Sequence, residues 1–322
     1  MNPFNRASAS SQRIQLEDAL KHLLDYEQTN RGTTVESLAG ALAIPRPDAA
    51  EILGRLRSRG LAKAAGITHH LTEDGRIYAI QVVRTHRLYE TWLARETSTP
   101  AEDWHKEAHK AEHHIGSAKA DELANLLNNP RFDPHGDTIP TREGHMPKRE
   151  FTDLASWPDG QSARIEHLED EPESLFREIQ TLALAPDTLI ETPRHLEDGS
   201  VKALIEGRNV LIPARLTTLI HLAATTEDDG KPELRRLSDL AIGDTAVVHA
   251  LAPACTGNER RRLLDLGLVP GTRITCEFPS PFGSPRSYMI RGALIALRDH
   301  QAERILIEAP VSQSTSETTS AQ

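Results

Sequence analysis

The sequence predicts an α+β protein, with helices through roughly the first 148 residues and short strands after them. Three observations predict it. Two short helix-forming stretches joined by a tight turn stand near the start. Trp104 to His114, WHKEAHKAEHH, packs four histidines and two glutamates into a helix-forming stretch. Beyond residue 149, apolar runs alternate with turn residues, and the pattern occurs twice.

LEDALKHLLDYEQ, from Leu16 to Gln28, carries Leu16, Ala19, Leu20, Leu23 and Leu24 at helical spacing. Thr34 caps a second helix reaching about Leu42, with Ser37 three residues on. Pro45-Arg46-Pro47 opens a third, since proline suits a first turn. That helix turns Ile52, Leu53 and Leu56 inward and Arg55, Arg57 and Arg59 outward, and Gly60 ends it. Two short helices and a tight turn form a helix-turn-helix. LAKAAGITHHLTEDG adds a β-wing around Gly66 and a new helix from Thr72. The competing reading is a small helical domain with no DNA role.

On a helical wheel, His105, His109, Glu112 and His113 fall at about 0°, 40°, 340° and 80°. They share one face about 100° wide, while His114 points away. A solvated helix that happens to be rich in histidine is the plain alternative. Three imidazoles and a carboxylate on one stripe are the converging N and O donors that a divalent ion needs. The preceding helix, IYAIQVVRTHRLYETWLARE, sets His86 and Glu90 at i, i+4, a second candidate half-site.

In the second half, LALAPDTLIE matches LGLVPGTRIT, and EGRNVLI matches RGALIAL. Pro186 and Pro270 are 84 apart (270 − 186), and Gly207 and Gly292 are 85 apart (292 − 207). Two copies of one small β-barrel domain follow, separated by the polar link Thr225 to Leu234. The tail VSQSTSETTSAQ is low-complexity and expected to be disordered.

The 322 residues suffice for two or three domains. A net charge of −10 argues against a generic polyanion binder but permits local DNA contacts. Cys255 and Cys276 provide neither a disulfide framework nor a thiolate zinc site. No run approaches 18 apolar residues, and the start has no apolar signal core. No membrane insertion and a reducing cytoplasm are expected.

The winged helix, THRLYE, EAHKAEHHI and NPRFDPHGDTIP together resemble the metal-dependent repressors of the diphtheria-toxin-repressor and manganese-transport-regulator type. The resemblance runs roughly from Gln15 to Leu222. LRRLSDLAIGDTAVVHAL, ERRRLLDLGLVPGTRITCEF and ALIALRDHQAERILIE resemble the FeoA-like domain, an SH3-like barrel, and the barrel before it resembles the SH3-like domain of the longer repressors. The domains implied are 12–76, winged helix-turn-helix; 77–148, helical metal binding and dimerisation; 149–224, SH3-like; 234–310, FeoA-like; and 311–322, the tail.

The resemblance implies a cytoplasmic homodimer that binds a double-stranded DNA operator when Mn²⁺ or Fe²⁺ is bound. It implies a primary site of Asp18, His109, Glu112 and His113 and an ancillary site of His86, Glu90 and His105. It also implies a donor from the SH3-like domain, placed at Glu171. Arg46, Pro47, Asp48, Glu51 and Arg55 form the implied DNA face. The chain departs from the family in three places. His109 stands where relatives have Cys or Glu, and Lys21 stands where manganese regulators have a carboxylate. Asp48 and Glu51 replace small hydroxyl residues on the reading helix; carboxylates repel phosphates yet accept from cytosine N4. The dimer surface is expected on Ile80–Trp92 and Ile115–Leu127, where Leu123, Leu126 and Leu127 serve equally well as intradomain core.

Two other functions compete. A metal hydrolase would need an open coordination position and a nearby base, and neither HExxH nor a nucleophile motif is present, so no enzyme is expected. A metal-sensing interaction protein would act on a transporter or other partner, through the FeoA-like domain, without operator binding.

Overall fold

The computed structural model describes residues 3–147, 151–225, 234–279 and 284–308. The chain divides into two compact units, residues 1–94 with 99–149 and residues 95–98 with 150–322. Residues 226–233 of the expected link, and the whole expected disordered tail 311–322, lie outside the described residues.

The first unit opens on α1 (Pro3–Gln28), which begins well before the expected Leu16. Ala, Gln and Arg propagate a helix through the polar start, and no Gly or Pro interrupts it after Pro3. α2 (Val35–Ala41) carries the expected cap: Ser37 N donates to Thr34 Oγ1 at 3.1 Å, and Thr34 N donates to Ser37 Oγ at 3.0 Å. α3 (Arg46–Ser58) follows. β1 (Ala62–Ala65) and β2 (Thr68–Leu71) then pair antiparallel as the wing. Leu20 and Leu23 of α1, Leu38 of α2, Leu53 and Leu56 of α3 and Leu71 of β2 share one buried core. Glu27 fastens α1 to the wing by accepting from Leu71 N at 2.7 Å, and to the helix that follows by accepting from Arg76 at 2.5 Å.

α4 (Glu73–Glu96), α5 (Trp104–Glu112) and α6 (Ser117–Leu126) complete the unit. Leu127 is buried with Leu88, Ala120, Ala124 and Ile139, so it is core within the protomer. Leu123 is half-buried beside them, while Leu126 remains 65% exposed.

The second unit holds the repeat. Its first copy runs β3 (Thr152–Asp153), β4 (Ala163–Leu168), α7 (Glu173–Thr181), β5 (Leu189–His195), β6 (Val201–Ile205), β7 (Arg208–Ile212), α8 (Ala214–Thr217) and β8 (Ile220–Ala224). Its second copy runs β9 (Leu234–Arg236), β10 (Thr245–Leu251), α9 (Gly257–Asp265), β11 (Arg273–Phe278), β12 (Arg286–Ile290), β13 (Ala293–Leu297), α10 (Asp299–Ala302) and β14 (Ile305–Glu308). The sheets have strand orders β3-β8-β4-β5-β6-β7 and β9-β14-β10-β11-β12-β13, one topology used twice. The matched sequences explain this. EG and RG form the same two-residue hairpin turn, with φ of 49° at both Glu206 and Arg291 and 80° and 83° at Gly207 and Gly292. Two positive φ values suit a tight hairpin of right-twisted strands. Each copy buries its own apolar core, Ile165, Ile190 and Leu222 in one and Val248, Ile274 and Ile307 in the other.

Candidate metal centre

α1 uses two faces. Leu16, Leu20, Leu23 and Leu24 go into the core, while Glu17, Asp18 and Lys21 meet α5. α5 is shorter than the sequence stretch suggested: it ends at Glu112, His113 is its C-cap, and His114 lies in the following turn. The bend at His113 aims its ring at α1.

Asp18, His109, Glu112 and His113 converge, with one ligand atom from each within 4.8 Å of the others. His113 Nε2 lies 3.3 Å from Asp18 Oδ1 and 3.4 Å from Glu112 Oε1. His109 Nδ1 lies 3.3 Å from Glu112 Oε1 and 3.9 Å from Asp18 Oδ1. Asp18 Oδ1 and His113 Nε2 are both buried and have no hydrogen-bond partner. Two buried, facing, unsatisfied polar atoms are costly unless something positive sits between them. This donor set therefore fits a divalent ion.

Glu17 orients the site. His113 Nδ1 donates to Glu17 Oε2 at 2.6 Å, and Tyr78 Oη donates to Glu17 Oε1 at 2.5 Å. Because Glu17 holds the Nδ1 proton, loss of the other ring proton to a cation leaves the Nε2 lone pair facing Asp18, the tautomer a ligand needs. Burial opposes charge on His113, but the neighbouring carboxylates of Asp18, Glu17 and Glu112 outweigh it and raise the imidazole to about 9; a bound cation takes the place of the second ring proton. Burial likewise opposes charge on Glu112, yet His109, His86 and Lys21 hold that carboxyl well below its usual range.

A second cluster comprises His86, Glu90 and His105. His86 Nε2 is 3.0 Å from Glu90 Oε1 and 3.3 Å from His105 Nδ1. His86 Nδ1 is 2.5 Å from Glu112 Oε2. Glu112 therefore turns one oxygen into the first cluster and with the other holds the Nδ1 side of His86, whose Nε2 faces the second. Lys21 Nζ sits 3.1 Å from both Glu112 oxygens, a built-in positive charge beside the first cluster. The i, i+4 pair His86–Glu90 is buried rather than a surface interaction.

A third cluster was not anticipated: Glu90, Asp133 and His135, all buried. His135 Nδ1 is 3.9 Å from Glu90 Oε2. Asp133 Oδ2 has no hydrogen-bond partner, and burial, Asp137 and Glu90 push the carboxyl well above its usual range. The residues were visible in NPRFDPHGDTIP. Their distance from Glu90 along the chain hid them, because only the fold returns that loop to α4.

Glu171 is exposed in the second unit, and no candidate cluster among the described residues includes it. On the expected DNA face, Arg46, Pro47, Asp48 and Glu51 are exposed at the start of α3, and Arg55 is half-buried and donates to Gln12 at 3.2 Å. The wing tip, Ile67, is 83% exposed.

Residues 72–141 match the family described as iron dependent repressor, metal binding and dimerisation domain, and residues 235–309 match the FeoA domain. A stretch of 122 residues is 34% identical to the iron-dependent repressor IdeR of Mycobacterium bovis, covering 38% of this chain and 53% of that protein. The chain thus spans about half the length of this curated relative. IdeR of Mycobacterium leprae is 27% identical over 218 residues, 63% of this chain and 94% of that protein. A solved manganese-dependent transcriptional repressor in complex with manganese shares the fold, with TM-score 0.59 and 23% identity, over 65% of this chain and 99% of its own.

Proposed function

We infer that this chain, which joins the metal-binding and dimerisation domain of the iron-dependent repressors to a FeoA domain, is a metal-dependent DNA-binding transcriptional regulator. It acts as a cytoplasmic homodimer that represses metal-uptake genes in response to Mn²⁺ or Fe²⁺. Residues 12–76 read DNA, 77–148 bind metal and dimerise, 149–224 and 234–310 form two SH3-like domains, and 311–322 are a tail.

One observation carries this reading: Asp18, on the helix that supports the DNA-reading core, converges with His109, Glu112 and His113 on α5. A divalent ion held by these four residues supplies the positive charge that their facing lone pairs require. His86, Glu90 and His105 form the ancillary set. Glu17 keeps the His113 proton away from the ligand face, and Glu112 holds His86 in the matching tautomer. With Asp18 drawn to α5, α1 is fixed, and α3, packed on it through the shared leucine core, keeps one orientation. Two such heads in a dimer meet successive major grooves about 34 Å apart. Arg46 and Arg55 contact phosphates, while Pro47, Asp48 and Glu51 face bases. Metal promotes binding only through its preference for the ordered state.

Fluorescence anisotropy on the chain's own upstream DNA tests this, with Mn²⁺, anaerobic Fe²⁺ or chelator at fixed salt and unrelated DNA as control. Tight binding is expected only with metal and only to the specific fragment. Asp18→Ala and Glu112→Ala remain folded dimers but gain no DNA affinity with metal. Unchanged metal-stimulated binding in either variant sinks the ligand assignment, and no specific binding with either metal sinks the operator reading.

A further inference from the structure

The second unit carries a metal-ligating group that the regulator reading does not use. In ARIEHLED, His167 and Glu169 are two residues apart, so an extended chain points both to one side. A β-bulge lies between Ile165 and His167, and beyond it His167 pairs across the ladder with His221 of β8. The backbone pairing continues past the strand end, with Glu169 N donating to Leu219 O at 2.9 Å. Register thus brings two imidazoles and a carboxylate together from three positions on two adjacent strands. The Nδ1 atoms of His167 and His221 are 2.8 Å apart, and one ligand atom from each of the three residues lies within 4.8 Å of the others. The Phe151 ring lies nearly parallel to both imidazoles, at 16° and 10°.

We propose that His167, Glu169 and His221 bind a divalent transition-metal ion of the zinc class. The second repeat is an internal control. Its bulge falls between Val248 and Ala250, the matching cross-strand pair is Ala250 with Leu306, and Ala252 N donates to Arg304 O at 2.8 Å. Ala250, Leu306 and Ala252 thus occupy the positions of His167, His221 and Glu169. The same fold forms without a single ligand there, so the three polar groups are not required by the architecture. An N₂O donor set suits a borderline ion and leaves a fourth position for water. Metal–nitrogen bonds of about 2.0–2.1 Å at a tetrahedral angle set the two nitrogens about 3.3 Å apart. With the ring centroids 5.1 Å apart, the two nitrogens face each other head-on, so taking up the ion both parts the rings by about half an ångström and turns each by roughly 35° to bring its lone pair onto the ion.

The test uses the full-length protein, stripped with chelator and dialysed against micromolar Zn²⁺. The triple variant H167A/E169A/H221L installs the residues of the second repeat. It is expected to bind one fewer ion per chain than the wild type and to keep its chelator-state melting temperature. Wild-type crystals grown with Zn²⁺ are expected to show an anomalous peak between the two rings. Equal ion counts in wild type and variant would overturn the proposal. So would a map with no peak there, which would leave the pair sharing a proton, Nδ1–H to Nδ1. Asp18→Ala is expected to retain this ion, so loss of the DNA response and loss of this site are read separately.

Discussion

The two copies in the second unit share strand order, bulge and hairpin, yet differ in what stands on them. The first places His167, Glu169 and His221 where the second places Ala250, Ala252 and Leu306. They also differ at the hairpin. Glu206 of the first copy forms a buried ion pair with Arg236 of β9, which also donates to Glu303 O at 2.6 Å. The equivalent Arg291 of the second copy lies over Gly267. A shared backbone plan therefore fixes the core residues of each copy and leaves the pair beyond the bulge and the turn free to acquire separate tasks.

The largest expected effect breaks the equivalence of the copies. Arg236→Met leaves Glu206 buried and unpaired, and losing one partner of a buried pair costs about 3–5 kcal/mol. Calorimetry is expected to show lowered stability and a broadened or split transition in the second unit; an unchanged single transition would show that the copies do not lean on this pair.

Core truncation tests the equivalence directly. Leu222 and Ile307 stand at matching inward positions, both fully or nearly fully buried. Leu222→Ala and Ile307→Ala are each expected to cost about 2–5 kcal/mol in denaturant unfolding. A near-zero cost at one position alone would mean that the copies do not share a packing plan.

Gly207 and Gly292 sharpen the comparison at smaller amplitude. A Cβ on Gly207 would meet Leu234 O at 2.1 Å, while one on Gly292 meets nothing within 4 Å. Gly292→Ala is expected to cost about 1 kcal/mol, from positive φ alone. Gly207→Ala should cost more, since β9 must also move. Equal melting temperatures for the two variants would contradict the close approach.

A pH dependence sets the helical unit against both repeats. His113 is raised from 6.5 to about 9, so folding favours its protonated form. That stabilisation is complete below pH about 6.5 and is lost as pH rises through about 9. In chelator, the melting temperature of the first unit is expected to fall between pH 7 and pH 9.5, and His113→Gln should remove the fall. A flat wild-type profile would exclude the arrangement with Glu17 and Asp18.

Much of this was legible in the sequence, for physical reasons that also mark where reading stopped. The α2 cap, the proline start of α3 and the glycine turns are local signals within a few residues. The repeat showed itself because turn chemistry and inward residues recur together. His109, Glu112 and His113 lay on one turn of helix, but placing Asp18 with them took a resemblance, since nothing local links α1 to α5. Glu17 beside His113, Asp133 beside Glu90, and His167 opposite His221 were all illegible. Each depends on tertiary return or on a bulge that shifts register by one residue, and no periodicity encodes either.

The divided carboxylate of Glu112 has a further consequence. Oε2 is engaged by His86, while Oε1 faces His109 and His113, so the first two clusters draw on one anion. By reciprocity, any factor by which filling one cluster alters affinity at the other must be returned in full. Dose–response curves for the two positions are expected to depend on one another through this side chain, and Glu112→Gln is expected to change that dependence.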